Sequence, residues 1–563
     1  MTGESVVEAV QAVATAWAVP GGVVVITDRE GVVLEHAFGF ADRDRGIEVT
    51  PDHVFEIGSI SKVMTAAVVL QLVESGHLRL TDTAVDILKW LPSALAGSEI
   101  MIERLLTHSA GLISGVDAVP DEKAQLGGVS TSPSAAAPGE FFHYSNLGYL
   151  LLGQIAARVS GRSLPELVRD GVLSPVGAGR SISTVRHRDR ASLAQGYQPR
   201  DDDRQWIPGD AQDPAPFLEV AGADGNVACT GRDLAGFARM LLRKGTSDDG
   251  QVVLSARSFE TMTTRLATGG EDVLVVDGVP PTSESRYGCG INVERSEGRL
   301  VLTHGGGMVG YASFLLADVD AGFAVVTLTN ANGDGPVAEA LARTAAARYA
   351  GSSTAAPRPM SSDLWRAPSA GDRPEARPRI LSPAMVGVFF GNAGRLEVRT
   401  RHAEAGLVRA EVSLGGQTAE LHWTWGARIL SPLPTLRLYP LEFDGSNWLS
   451  GGDVFRPADQ SEPTEAEPQN TPDLEAYCGH FRSYTPWFTN FRTVIRHGVL
   501  VLVASPGVEA PSEDVILAPL GNGLFRIGQD PRLPERLQFG PAIDGLAEWV
   551  DRDGCRYSRS FTP

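Results

Sequence analysis

Three features of the chain predict an α+β protein. Two alternating apolar runs near the N-terminus pair as a hairpin, several long helices are apolar nearly all round, and the C-terminal third consists of short alternating strands with frequent turns. The expected architecture is an antiparallel sheet with helices packed on it and an all-helical lobe, followed by two small antiparallel β-barrels. At 563 residues more than one domain is expected, and 43% apolar with 21% charged residues is a globular composition.

In chain order, "GGVVVITDREGVVLEHAFGFA" from Gly21 alternates as a hairpin with its turn near Glu30 and Gly31. Buried helices follow over Val63 to Val73 and after Asn146. "LTHGGGMVGYASFLL" (Leu302 to Leu316) and "FAVVTLTNANG" (Phe323 to Gly333) read as strands, and "PVAEALARTAAARYAG" (Pro336 to Gly351) as a last helix. From Ser352 the texture turns to a Pro/Ser/Ala linker, and a second, acidic linker starts at Ala458. Each precedes strands opened by Gly-x-Phe, at Gly387 and Gly479, about ninety residues apart, as if one module occurred twice. The expected domains are a catalytic unit at 1–351, a linker at 352–378, a first barrel at 379–457, a linker at 458–473 and a second barrel at 474–563.

The chemistry starts from "EIGSISKVMTAAVVLQLVESG", where Ser59 and Lys62 stand one helical turn apart. Residues i and i+3 share a helix face, about 5–6 Å apart at Cβ. The chain has only four lysines, Lys62, Lys89, Lys123 and Lys244, its other basic residues being arginine. A guanidinium is never deprotonated in proteins, so a position that needs a neutral amine must hold lysine. Burial and the helix N-terminus both lower a lysine pKa. Moving it from about 10.4 towards 7 requires roughly 4–5 kcal/mol. The competing reading makes Ser59 a helix cap and Lys62 a side chain that snorkels to solvent.

Two further segments carry candidate partners: Tyr144-Ser145-Asn146 at the start of an apolar helix, and His304 ahead of Gly305, Gly306 and Gly307. With "LLTHSAGL" (Leu105 to Leu112) and "GADGNVACTGRDLAGFARMLL" (Gly222 to Leu242), roughly residues 5–350 resemble the SxxK serine hydrolases. That family includes class C β-lactamases, penicillin-binding DD-peptidases, D-aminopeptidases and related esterases, and it implies a β-lactamase/penicillin-binding-protein-like catalytic domain. By this resemblance Ser59 is the nucleophile, Lys62 its base and Tyr144 the carrier of protons to the leaving group. Asn146 binds the acyl-side carbonyl, or else caps its helix. The backbone N–H groups of Ser59 and Gly307 form the oxyanion hole. His304 stands where many relatives have the lysine of a KTG sequence and is expected to keep an ordinary pKa of about 6.5. Gly305 replaces the KTG hydroxyl, so His304-Gly305-Gly306 is poorly equipped to hold a substrate carboxylate.

A catalytic domain followed by two barrels is also similar to the D-aminopeptidase layout, in which a loop of the last barrel borders the active site. The aromatic stretch "YTPWFTNF" (Tyr484 to Phe491) is the candidate for that loop; otherwise the barrels are packing or dimerisation modules of a homodimer. No GxSxG, HExxH, Walker loop or paired CxxC occurs, and the eleven histidines show no ligand spacing, so neither a metal nor another cofactor is expected.

A net charge of −19 disfavours nucleic acid and anionic membrane. The first 28 residues hold no base and no signal-like core, which points to the cytoplasm. The four cysteines lie far apart and read as reduced. The resulting expectation is a cytoplasmic serine acyl hydrolase acting on a small-molecule or peptide substrate with a D-residue on the acyl side. Two alternatives stay open: an acyl transferase or peptide-cyclising thioesterase, and a β-lactamase or a β-lactam sensor that acylates without turnover.

Overall fold

The structure is a computed structural model. It describes the chain except residues 1–2, 92–99, 116–121, 129–136, 208, 277–278, 332–335, 352–364, 367–381, 403–406, 424–428, 461–471, 506, 509–512 and 561–563. The predicted hairpin forms as β1 (Gly21–Asp28) and β2 (Val32–Asp42), extended by β3 (Ile47–Glu48). The chain returns to the same sheet with β4 (Thr282–Tyr287), β5 (Asn292–Ser296), β6 (Arg299–Met308), β7 (Tyr311–Asp318) and β8 (Phe323–Thr329). The eight strands are ordered β3-β2-β1-β8-β7-β6-β5-β4.

Both faces of this sheet are covered, so its central strands are buried along almost their whole length rather than at alternate positions. Val24 and Ile26 pack against α1 (Gly3–Ala16) and a C-terminal helix, Val337–Tyr349. Val23 and Val25 face the larger core built with α2 (Ser61–Glu74), α3 (Asn146–Ser160) and α4 (Gly231–Leu242). Eleven of the fourteen residues of α2 are buried, as expected for a helix with no polar stripe. Ser145, not Asn146, caps α3: its extended backbone lets Oγ accept from Gly148 N at 3.1 Å.

The C-terminal strands form two modules. One is a ten-stranded sheet with Phe389, Leu396, Trp448 and Phe455 in its core. The other is a closed eight-stranded barrel running from Gly479–Arg482 to Cys555–Arg559. Trp365 and Arg366, inside the segment read as linker, pair with Val408 and Leu407 of the first module. The two Gly-x-Phe openings are structurally alike: Gly387 and Gly479 have φ of 142° and 159°, and Phe389 and Phe481 are buried.

The closed barrel docks on the catalytic domain in two places. Arg482 pairs with Asp202 at 2.8 and 2.9 Å, and Gln205 Nε2 donates to Ala504 O at 2.7 Å. At the second place Glu535 reaches His143, and Arg532 lies over the Phe141 ring at 4.3 Å. In the aromatic stretch proposed as the active-site loop, Phe488 and Phe491 turn into the barrel core, Tyr484 is exposed, and Trp487 packs on the catalytic core. The barrel segment that touches His143, the residue before Tyr144, is the one carrying Arg532 and Glu535.

All four cysteines are free thiols. Among the described residues no helix is long and apolar enough to cross a membrane, and no group of three His, Cys, Asp or Glu residues could hold a metal ion.

Candidate active site

Ser59 sits in a single 3-10 turn, Gly58–Ile60, that feeds directly into α2. Lys62 is fully buried, and its Nζ donates to Ser59 Oγ at 2.8 Å and to Asp224 O at 2.8 Å. Neither the capping nor the snorkelling reading survives. The N-terminus of α2 has no side-chain cap, and Lys62 points into the protein rather than to solvent. Ser59 is half-buried, so its hydroxyl remains reachable while the amine behind it is withdrawn from water. Such withdrawal disfavours an ammonium.

A loop and a strand hold this turn in place. Thr65 Oγ1 donates to Ala223 O at 2.8 Å, and Ser61 Oγ accepts from Val227 N at 3.1 Å, fastening the start of α2 to the 223–227 loop. On the other side β6 presses its glycines against the turn. A Cβ on Gly306 would lie 2.0 Å from Ile57 O, and one on Gly58, whose φ is +49°, would lie 2.6 Å from Gly307 O. Only glycines permit this approach. Gly305 faces the opposite way, with room for a methyl, and the three glycines also border a cavity of about 260 Å³ that is lined by Glu294, Glu339 and Arg343 and not by Ser59, Lys62 or Tyr144.

Tyr144 lies across the amine, its ring centroid 5.1 Å from Lys62 Nζ. A reachable hydroxyl, a buried amine in contact with it, a phenol beside that amine and a glycine strand alongside are parts from which acyl-transfer chemistry can be built. The family described as Beta-lactamase matches residues 9–350, more than half of the chain.

The chain belongs to the Beta-lactamase family. Among curated relatives it is 32% identical over 257 residues to penicillin-binding protein 4 of Amycolatopsis lactamdurans, covering 42% of this chain and 64% of that protein. The chain thus matches less than two thirds of that relative's length. It is 30% identical over 277 residues to Protein Rv1367c of Mycobacterium tuberculosis, covering 43% of this chain and 67% of that protein. Among solved structures, an octameric penicillin-binding protein homologue from Pyrococcus abyssi covers 90% of this chain and 99% of its own at a TM-score of 0.54 and 20% identity. That likeness concerns the fold, and it extends over the C-terminal modules.

Within this Beta-lactamase-family site, His304 departs from the sequence expectation. It is fully buried, its Nε2 2.7 Å from Tyr287 Oη and its Nδ1 2.6 Å from Gly305 O. With Nδ1–H donating to that carbonyl, Nε2 accepts the tyrosine proton, so the ring is neutral. Burial pushes its pKa down to about 3, with the charge of Lys62 adding to the shift.

Sequence reasoning missed several neighbours. The His108 ring lies tilted 4.2 Å from that of Tyr144 and edge-on 4.6 Å from that of Tyr287, and its Nδ1 accepts from Ser145 N at 3.0 Å. Burial first, then the charge of Lys62, holds its pKa well below the usual range. Tyr149, whose ring lies 5.8 Å from Lys62 Nζ, donates to Leu106 O at 2.9 Å. "LLTHSAGL" and "GADGN" marked the segments of His108 and Asp224. The lysine's partner in the second is a main-chain carbonyl, which has no residue signature.

Proposed function

We propose that the protein forms an acyl-enzyme on Ser59 from small peptide, amide or ester substrates with a D-residue on the acyl side and no free carboxylate on the leaving side. The observation that carries this reading is the 2.8 Å contact between Lys62 Nζ and Ser59 Oγ. With the amine neutral, that contact passes the hydroxyl proton to Nζ as Oγ attacks the acyl carbon. Tyr144 then delivers its proton to the leaving group and is reprotonated by the Lys62 ammonium, which restores the neutral amine, and water repeats the sequence to release the acid. The N–H groups of Ser59 and Gly307 receive the oxyanion, and Asn146 binds the acyl-side carbonyl.

The leaving-side preference follows from His304 and Gly305. The imidazole is neutral and buried, and Gly305 offers no hydroxyl, so this stretch lacks the cation and the donor that a carboxylate needs. Under-pairing such a carboxylate in a partly dry cleft costs about 1–3 kcal/mol or more, a rate loss of about 10²-fold. The D-preference rests on the layout, a catalytic domain followed by two antiparallel modules, the second docked on His143, the residue before Tyr144.

The test compares kcat/KM for a D-aminoacyl amide and methyl ester with that for the matching D-aminoacyl-D-Ala acid and a penicillin. The amide and ester should exceed both acids by tenfold or more. A tenfold advantage for either acid refutes the assignment, and equal rates for L- and D-aminoacyl amides refute its stereochemistry.

A further inference from the structure

Glu535 belongs to the closed barrel, between the strands Leu524–Ile527 and Arg536–Phe539, yet its carboxylate serves the catalytic domain. It is buried at 8% exposure, and one oxygen, Oε1, accepts from Ser114 N at 3.0 Å and His143 Nε2 at 2.5 Å. Both donors lie in the segments that hold Tyr144. His143 N donates to His108 O at 2.8 Å, Leu147 N donates to Ser114 O at 3.1 Å, and Ser145 Oγ donates to Ile113 O at 2.7 Å. Tyr144 is thus the middle of three residues whose flanks are tied down, on one side through the imidazole that Glu535 grips.

The acceptor is a charged one. Burial alone would raise the Glu535 pKa, but the His143 contact and the Ser114 N–H outweigh it and hold it low. Asp553, next to it, is pushed up to about 8 by burial and by the charge of Glu535, and its Oδ1 accepts from Arg536 N at 3.0 Å. Charge-assisted hydrogen bonds of this kind are short and about twice as strong as neutral ones.

We propose that Glu535 is a positioning residue for Tyr144: the C-terminal barrel completes the active site by fixing, through His143, the segment that carries the phenol. The proposal rests on Tyr144 being the proton carrier. A misplacement of about 1 Å costs up to about 10²-fold in rate, and loosening one flank is a partial form of that loss.

The test measures kcat and KM on a D-aminoacyl methyl ester, whose alkoxide leaving group needs a proton, in the full-length protein. Glu535→Ala should lower kcat about tenfold with KM within about twofold. Glu535→Gln keeps an acceptor oxygen for both donors and should stay within about threefold of wild type. In a Tyr144→Phe background Glu535→Ala should cost less than about twofold, because the group it positions is already gone. His143→Ala, which leaves the barrel untouched, should reproduce the Glu535→Ala pattern and serves if the latter fails to fold. Equal losses in both backgrounds, an unchanged kcat in Glu535→Ala beside a crippled Tyr144→Phe, or a Gln variant as poor as Ala would each overturn the proposal. A fully active Tyr144→Phe would instead overturn the proton-carrier reading, and the positioning role with it.

Discussion

Gly306→Ala tests how tightly the nucleophile's turn is set against β6. The added Cβ would sit 2.0 Å from Ile57 O and 2.4 Å from Ser313 Oγ. Carbon–oxygen contacts settle at about 3.3 Å, so strand and turn must separate by about 1.3 Å. Ser313 can rotate, although its Oγ now donates to Ile57 O at 2.8 Å; Ile57 O is main chain two residues before Ser59 and cannot swing away alone. The separation therefore moves the Gly307 N–H away from the oxyanion position. Losing one such donor costs about 10²–10³ in rate. Gly305→Ala is the matched control, because its methyl meets nothing nearer than Phe314 at 3.7 Å, and its kcat/KM should stay within about threefold. Ester and amide hydrolysis measured alongside the melting temperature separates a displaced donor from a destabilised fold. A Gly306→Ala enzyme within threefold of wild type would refute both the close approach and the place of Gly307 in the oxyanion hole.

Ser59→Ala should abolish turnover and fluorophosphonate labelling, and Lys62→Arg should do nearly as much damage because a guanidinium cannot take a proton; near-normal Lys62→Arg turnover would remove Lys62 from the mechanism. Tyr144→Phe should lower kcat by about 10²–10⁴ without loss of stability, and a fall in melting temperature with unchanged activity per folded molecule would make Tyr144 a packing residue. Burial raises the Glu56 pKa from 4.5 to about 8, so its stabilising contribution is complete below pH 4.5 and is lost as pH rises through 8. Thermal melts should show Glu56→Gln gaining on wild type between pH 5 and pH 8, by up to about 1.4 kcal/mol per pH unit; a constant difference would mean Glu56 is already ionised in the folded protein.

The parts of this site that were legible in the sequence are local ones. Ser59 and Lys62 meet because they are three residues apart on one helix start, and lysine scarcity singled out the pair. The hairpin at Gly21 and the two Gly-x-Phe modules were legible for the same reason, a short-range period. What escaped depends on packing between distant segments. His304 was expected to titrate normally, and its burial, with a smaller contribution from Lys62, takes its pKa to about 3. Glu535 joins a residue 392 positions away, and no periodicity encodes such a contact. The barrel loop was sought among exposed aromatics, yet Phe488 and Phe491 are aromatic because they fill the barrel core.

The enclosure of Lys62 also decides the route a proton can take. His108 and His304 flank Tyr144 at 4.2 and 6.3 Å, and burial together with the charge of Lys62 depresses both of their pKa values. Burial disfavours a charge on either ring, and once Nζ has taken the Ser59 proton a protonated imidazole would be a second cation beside it. The His304 ring is moreover fixed between Gly305 O and Tyr287, and His108 Nε2 has no hydrogen-bond partner among the described residues. Neither imidazole therefore offers a resting place for the Ser59 proton. They pack against Tyr144 and Tyr287 as neutral walls, and on the proposed mechanism the path runs only through Ser59 Oγ, Lys62 Nζ and the Tyr144 phenol. A path that short has no titrating histidine in it, which makes the placement of the phenol, rather than any imidazole pKa, the quantity the surrounding residues must control.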